Sequence, residues 1–468
     1  MFIGRKRELA RLNDFYDDDD RQVLVVYGRQ GMGKTALLKE FVGDRSNVYF
    51  SAYPTTDVHE LSLLSQAIAR AEGKKPSLAS KKVGSVSELF DRITALATAG
   101  KVVFVIDHYP NFVKADDSFE KELYRYMTGE WATLPLKLIL CGDSFLNMQK
   151  KVLDKKAIWS AYKPDTMEIE GMGFYEAREF FADHEPREQA YLYGITGGIP
   201  GMLVKAKGSV REVTARLFLE EEAQASLLPE RTSQIDLREM SYYNRILTSL
   251  AAGLSRVNQI SEDVKKPKDV VVPYMNTLMS IGVVTKESPV TERTNRKKTR
   301  YSIVNTSDLF WYHFIAPHME LYYDNERDML MDEVIKPHIA PYMEQVFIRM
   351  CKEYLVEESA RGKLPFSIND IGNWWENDDE KKTSEGFDLV AVGETDGDDA
   401  MVFARCYYEN EPIGIATLKE LIELTKHVRD KSNAFYLIFS KSGFQENTKT
   451  VAATIKNIML ISLSELCS

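Results

Sequence analysis

Gln22-Val-Leu-Val-Val-Tyr27, then Gly28-Arg-Gln-Gly-Met-Gly-Lys34-Thr35, then Ala36-Leu-Leu-Lys-Glu-Phe41: these consecutive segments decide the fold of the chain. The first is a short apolar run, the mark of a strand buried on both faces. The second carries Gly28 and Gly33 with Lys34 and Thr35 behind them, which is the G-x-x-x-x-G-K-T pattern of a phosphate-binding loop. The third has the spacing of a helix. Small residues let backbone N–H groups close on phosphate oxygens, and a helix start adds partial positive charge there. Gly28, Gly31, Met32, Gly33, Lys34, Thr35 and Ala36 are therefore the expected nucleotide-binding residues. Lys34 is expected to reach the β- and γ-phosphates and the Thr35 hydroxyl to ligate Mg²⁺.

Downstream, short apolar runs alternate with helical stretches, which predicts a parallel α/β sheet. They are Asn47–Ala52, Val102–Ile106, Leu136–Leu140 and Met167–Ile169. Val102-Val-Phe-Val-Ile-Asp107 ends on an acidic residue, as the second nucleotide-binding element requires, and Asp107 is the expected partner of Thr35 in holding Mg²⁺. No Asn-Lys-x-Asp motif for reading guanine occurs, and these residues by themselves do not decide between ATP/ADP and GTP.

Sixty basic residues face seventy acidic ones, a net charge of −10, so bulk charge does not point to nucleic acid. The four cysteines (Cys141, Cys351, Cys406 and Cys467) are far apart and form no C-x-x-C pair. That argues against a disulfide scaffold or a zinc site and for a reducing, cytoplasmic location. The opening residues lack a signal-peptide core, and no apolar run reaches the ~18 residues a membrane span needs.

At 468 residues the chain is long enough for several domains. An α/β nucleotide-binding core is expected over 1–172, a helical lid over 173–232 and a helical connector over 306–340. Between the last two, 233–305 reads as a winged helix. Helical patterns at Tyr243–Ala252 and Tyr274–Ile281 precede an expected hairpin, Val283–Lys286 with Tyr301–Val304. Its loop holds Arg293, Arg296, Lys297, Lys298 and Arg300, either a wing that contacts double-stranded DNA through phosphates or a solvated tip. The final unit, 341–468, has a helix followed by strands at Gly386–Val392, Met401–Tyr407 and Ala434–Phe439.

The chain resembles prokaryotic AAA-type ATPases of the STAND class whose C-terminal domain looks like a restriction endonuclease. The resemblance rests on Phe2-Ile-Gly-Arg-Lys-Arg-Glu-Leu9, the phosphate loop, Asp107, Gly197-Gly-Ile-Pro200, the winged helix, Asp308-Leu-Phe-Trp-Tyr312, Ile371-Gly-Asn-Trp-Trp375 and Asp388. It implies a multidomain α/β fold: a P-loop parallel sheet, a helical lid, a winged helix and a C-terminal α/β restriction-endonuclease-like domain. It also implies Phe2, Ile3 and Pro200 as adenine contacts.

Three departures bear on activity. Such proteins usually carry Glu after the Asp of the second element, where it activates water; here His108 stands there. A positioned base contributes about 10²–10⁴-fold, so hydrolysis is expected to be slow unless His108 substitutes. The sensor position reads Gly142-Asp143-Ser144. Asp143 or Ser144 is the expected sensor of the γ-phosphate; an acidic group would repel it, which slightly favours Ser144. In the final unit the resemblance calls for a helix Glu, a strand Asp and a Glu-x-Lys, but Ile348, Asp388, Arg405 and Tyr407 stand at those positions. One carboxylate beside an arginine does not hold Mg²⁺ against water, so nuclease activity is expected to be absent. The resulting expectation is an ATP-dependent switch with slow or no hydrolysis and an unidentified protein partner. The alternative is an active ATPase with a DNA-binding winged helix, acting as a DNA-associated regulator.

Overall fold

The computed structural model describes residues 2–75, 84–112, 117–143, 154–220, 240–295, 298–378, 383–425 and 433–468, together with Met148, Val152 and Val428. The chain divides into two compact units. The first is Met1–Met172 with Ile199–Gly201; the second is Gly173–Gly198 with Met202–Ser468.

In the first unit, β1 (Val23–Tyr27), β2 (Asn47–Ser51), β3 (Val102–Asp107), β4 (Leu136–Gly142) and β5 (Asp165–Glu168) form one sheet in the order β2-β3-β4-β1-β5. Every neighbouring pair is parallel. The apolar runs of β1, β3 and β4 are buried at every position, as strands covered on both faces must be. Edge strand β2 instead alternates between buried and partly exposed residues. Around the sheet lie α1 (Lys6–Asp17), α2 (Lys34–Val42), α3 (Asp57–Ala71), α4 (Val86–Ala99) and α5 (Asp117–Thr128). A reciprocal capping box between Ser85 and Glu88 starts α4. One face of the sheet packs on a core containing Val48, Phe50, Leu64, Ile68, Phe90 and Trp131. The register pairs Tyr27 with Gly142 and Ser51 with Asp107, which brings the carboxyl ends of β1, β3 and β4 together. In open α/β sheets that end is where ligands bind.

In the second unit, α6 (Pro186–Thr196) is followed, beyond a stretch outside the described residues, by α7 (Met240–Ala251), α8 (Val257–Val264) and α9 (Lys268–Ser280). Next come β6 (Val284–Glu287) and β7 (Arg300–Ile303), an antiparallel pair. α9 starts six residues earlier than the sequence reading placed it and carries Pro273 inside its second turn. A proline there costs one backbone hydrogen bond, a loss that the buried Val271, Met275 and Leu278 offset. The expected linker around Pro229 lies outside the described residues.

The last elements are α10 (Lys336–Ala360), β8 (Asp370–Asp378), β9 (Thr383–Thr395), β10 (Asp398–Tyr407), α11 (Ile415–Leu424), β11 (Ala434–Ser440), α12 (Glu446–Thr454) and β12 (Ile458–Ser462). The sheet order is β12-β11-β10-β9-β8, antiparallel from β8 to β10 and parallel from β10 to β12. Part of the loop between β6 and β7 packs on this sheet. Val290 is buried in the same apolar cluster as Trp374, Phe387 and Phe403 of this sheet. No helix among the described residues is long and apolar enough to cross a membrane.

Candidate nucleotide site

The loop Gly28–Thr35 leaves the end of β1 and runs directly into α2. Gly28 is required by space: a Cβ there would stand 2.3 Å from the Ile169 carbonyl oxygen. Gly33 is required by conformation, with φ of 81° in the left-handed region where side chains are strained. Lys34 is buried, and its ammonium donates to the carbonyls of Gly28 and Arg29, each at 2.9 Å. The side chain thereby closes the loop it belongs to.

Thr35 and Asp107 meet as the sequence predicts. The Thr35 hydroxyl donates to Asp107 Oδ2 at 2.7 Å. The Tyr49 hydroxyl from β2 donates to the same oxygen at 2.8 Å, a contact the sequence reading did not find. Burial, reinforced by Asp107, raises the Tyr49 phenol above its ordinary range, so it stays a donor. A hydroxyl and a carboxylate side by side are hard oxygen donors. They suit Mg²⁺ bound by one or two protein groups plus substrate phosphates.

Asp143 joins two of the site's basic residues. One carboxylate oxygen pairs with Lys34 Nζ at 2.7 Å, and the other meets His108 Nδ1 at 3.0 Å. Burial pushes the Asp143 carboxyl up, but His108 and Lys34 outweigh it and hold it at about 2. The bond to Asp143 is also the main reason the His108 imidazole is raised above its ordinary value, against the opposing effect of burial. His108 has φ of 56°, uncommon for a residue with a side chain, and its N–H donates to Asp107 Oδ1 at 3.0 Å. Ser144 lies outside the described residues.

Two further elements fix the loop. Arg5, only 3% exposed, donates to the carbonyls of Met32 at 2.9 Å and Glu170 at 2.6 Å. It pairs as well with Glu8 at 2.5 Å. Phe2 and Ile3 are partly buried just ahead of it. Gly201 N–H donates to the Gly31 carbonyl at 3.0 Å, and Pro200 carbons lie 3.5 Å from the place of a Cβ on Gly33. The Gly197–Pro200 turn thus delivers Pro200 onto the phosphate loop. Ala36 follows Thr35 in the first turn of α2.

Residues 2–206 match a family model described as an ATPase domain predominantly from Archaea. This segment is an archaeal-type P-loop ATPase domain. Residues 311–420, beyond the ATPase domain, match a family of archaeal and bacterial proteins of unknown function. An uncharacterized protein of Methanocaldococcus jannaschii is 24% identical over 463 residues, covering 95% of this chain and 100% of that protein. An uncharacterized ATP-binding protein of the same organism is 36% identical over 45 residues, 10% of this chain and 76% of that protein. Among solved structures, the Walker-type ATPase of Pyrococcus abyssi aligns with a TM-score of 0.52 at 18% identity, over 66% of this chain and 96% of that one. The likeness to it is one of fold.

The remaining candidate residues lie in the second unit. Asp388 on β9 accepts the Cys406 N–H at 2.8 Å and lies 3.6 Å from Arg405 Nε. Arg405 also donates to the Gly386 carbonyl at 2.8 Å, and its guanidinium lies over the Tyr407 ring. Burial raises the Asp388 carboxyl, against the Cys406 N–H and Arg405, which lower it. Ile348 stands on α10 and brings no ligand atom. Glu344, one helical turn earlier, is raised by burial and by the negative Asp388 and Glu409. Among the described residues, no group of three or more acidic, His or Cys side chains could hold a metal.

Arg293, Lys298 and Arg300 of the basic loop make contacts within their own unit. Arg293 forks onto Asp370 of β8 at 2.7 and 3.0 Å, and Lys298 pairs with Glu292 at 2.7 Å. Arg300 lies 4.3 Å above the Trp375 ring. Arg296 and Lys297 lie outside the described residues. The burial of Val290 in the cluster with Trp374 and Phe387 brings Arg293 and Arg300 to β8.

Proposed function

We propose that the archaeal-type ATPase domain works as a nucleotide-controlled switch rather than a motor. One observation carries this reading. The lysine that should hold the β- and γ-phosphates is paired with Asp143, and the same carboxylate holds His108, which stands where a water-activating Glu is expected. ATP must take Lys34 from Asp143, and in doing so releases Asp143 and His108 together. Thr35 and Asp107 would hold Mg²⁺, which supplies charge neutralisation on the phosphates. With no carboxylate after Asp107, hydrolysis is slow and the bound state persists.

The helices α7–α9 followed by β6 and β7 support a winged-helix reading of 233–305. The mixed sheet of β8–β12 packed with α10 supports a nuclease-like reading of 341–468. Arg405 beside Asp388 supports the loss of nuclease activity, because its charge excludes the metal. The contacts that Arg293, Lys298 and Arg300 make inside the unit do not favour DNA contact through these three residues. Steady-state phosphate release at saturating ATP tests the switch: the expected rate is at or near background and unchanged in His108→Ala. Robust turnover lost in that variant would make the chain an ATPase that uses His108.

A further inference from the structure

We propose that the open edge of β2 is a docking groove for an extended segment of a partner protein bearing acidic side chains at alternate positions. β2 ends the five-stranded sheet. The steps from β1 to β2 and from β2 to β3 run in opposite directions across the sheet, so right-handed crossovers put α2 and α3 on opposite faces. Side-chain packing agrees with this. Val48 and Phe50 pack with Leu64 and Ile68 of α3, whereas Tyr49 lies under Lys39 of α2 at 5.9 Å. Between the two helices a cleft of about 740 Å³ runs along β2.

The strand edge in that cleft is fit to pair. Ser46 carbonyl accepts from Val103 N–H, and Ala52 N–H donates to the Asp107 carbonyl, which fixes the phase of the ladder to β3. In a parallel ladder, successive residues turn their N–H and C=O groups to opposite sides. Asn47, Tyr49 and Ser51 therefore direct theirs into the cleft. Exposed edges are usually blunted by proline, by charge or by a bulge. β2, Asn-Val-Tyr-Phe-Ser, has none of these.

Charge selects the occupant. The cleft is lined by Lys39, Arg45 and Arg70, and no acidic residue is among its described lining. Lys39 and Arg70 lie near the last turns of α2 and α3, where they also complement the helix dipoles. That role accounts for two cations but not for the bare strand edge between them. An added strand obtains its main-chain hydrogen bonds from Asn47, Tyr49 and Ser51. Its side chains alternate between the two walls, so carboxylates at alternate positions meet the cation of one wall, Lys39 of α2 or Arg70 of α3.

Fluorescence anisotropy of the full chain with a labelled peptide, Thr-Glu-Val-Glu-Val-Glu-Thr, tests this. Saturable binding is expected, weakened about fivefold to tenfold in the Lys39→Glu/Arg70→Glu double variant, since exposed ion pairs each contribute modestly. Methylating alternate peptide amides should weaken binding to the unaltered protein by at least as much. Three results would overturn the proposal. They are no saturable binding at millimolar peptide, equal binding of the lysine peptide Thr-Lys-Val-Lys-Val-Lys-Thr, and a double variant that melts earlier yet binds the peptide as before. Preferential binding of a dT8 oligonucleotide, lost in the double variant, would assign the cleft to nucleic acid instead.

Discussion

On the proposed switch, Asp143 and Lys34 set the affinity of the nucleotide site, because a phosphate that reaches Lys34 competes with a carboxylate 2.7 Å away. Replacing Asp143 by Ala removes the competitor, and calorimetry should show ATP binding about fivefold to tenfold tighter, the scale of one partly exposed ion pair. Arg5 acts at the same scale through position rather than charge. Arg5→Ala leaves the carbonyls of Met32 and Glu170 without their donor, and hydrogen bonds from a charged group contribute about 1.5–3 kcal/mol each. Thermal unfolding should show the first unit weakened by about that amount. The loop residues were legible in the sequence because phosphate chemistry dictates their types and spacing. Tyr49, Arg5 and the Asp143 carboxylate were not. Tyr49 is 58 residues from Asp107, and Arg5 is 165 from Glu170. Such contacts depend on strand order and register, which no local pattern encodes.

At the scale of elements, α10 is tied to the start of its unit by one half-buried acid. Glu353 accepts from the Phe174 N–H and the Tyr193 hydroxyl, each at 2.5 Å. Burial pushes its carboxyl from 4.5 up to about 7, against the lowering effect of those two donors. The folded state thus holds a proton that the unfolded chain releases near pH 4.5. The associated stability is complete below about pH 4.5 and is lost as pH rises through about 7, by up to about 3 kcal/mol at about 1.4 kcal/mol per unit. Melting of the second unit followed from pH 5 to pH 8 should fall accordingly, and the slope should flatten in Glu353→Gln. The elements themselves were unevenly legible. Buried parallel strands announce themselves as apolar runs, and β1, β3 and β4 were read nearly residue for residue. β8 was missed because Ile371–Trp375 entered the reading only through the resemblance, although Trp374 and Trp375 are buried residues of a strand. The basic loop was visible as charge, but its docking depends on Val290 finding a pocket in a sheet encoded about a hundred residues later.

At the scale of the molecule, the path of the chain links the two units. It leaves the second unit after Gly198, contributes Ile199–Gly201 to the first, and returns at Met202. Those three residues bring Pro200 and the Gly201 N–H to the phosphate loop. A nucleotide that reshapes the loop therefore acts on a segment continuous with the second unit on both sides. Hydrogen exchange should show slower exchange at Gly201 with ATP than without nucleotide, and Pro200→Gly should reduce that difference. If Gly201 exchanges alike in both states, the signal does not leave by this route.

The most direct measurement is calorimetric titration of the full chain with ATP and Mg²⁺, alongside Lys34→Ala. Saturable binding by the unaltered protein, lost or weakened at least a hundredfold (about 2.7 kcal/mol) in the variant, is the predicted result. Equal affinity in the two proteins would contradict the assignment of Gly28–Thr35 as the nucleotide site, and with it the switch.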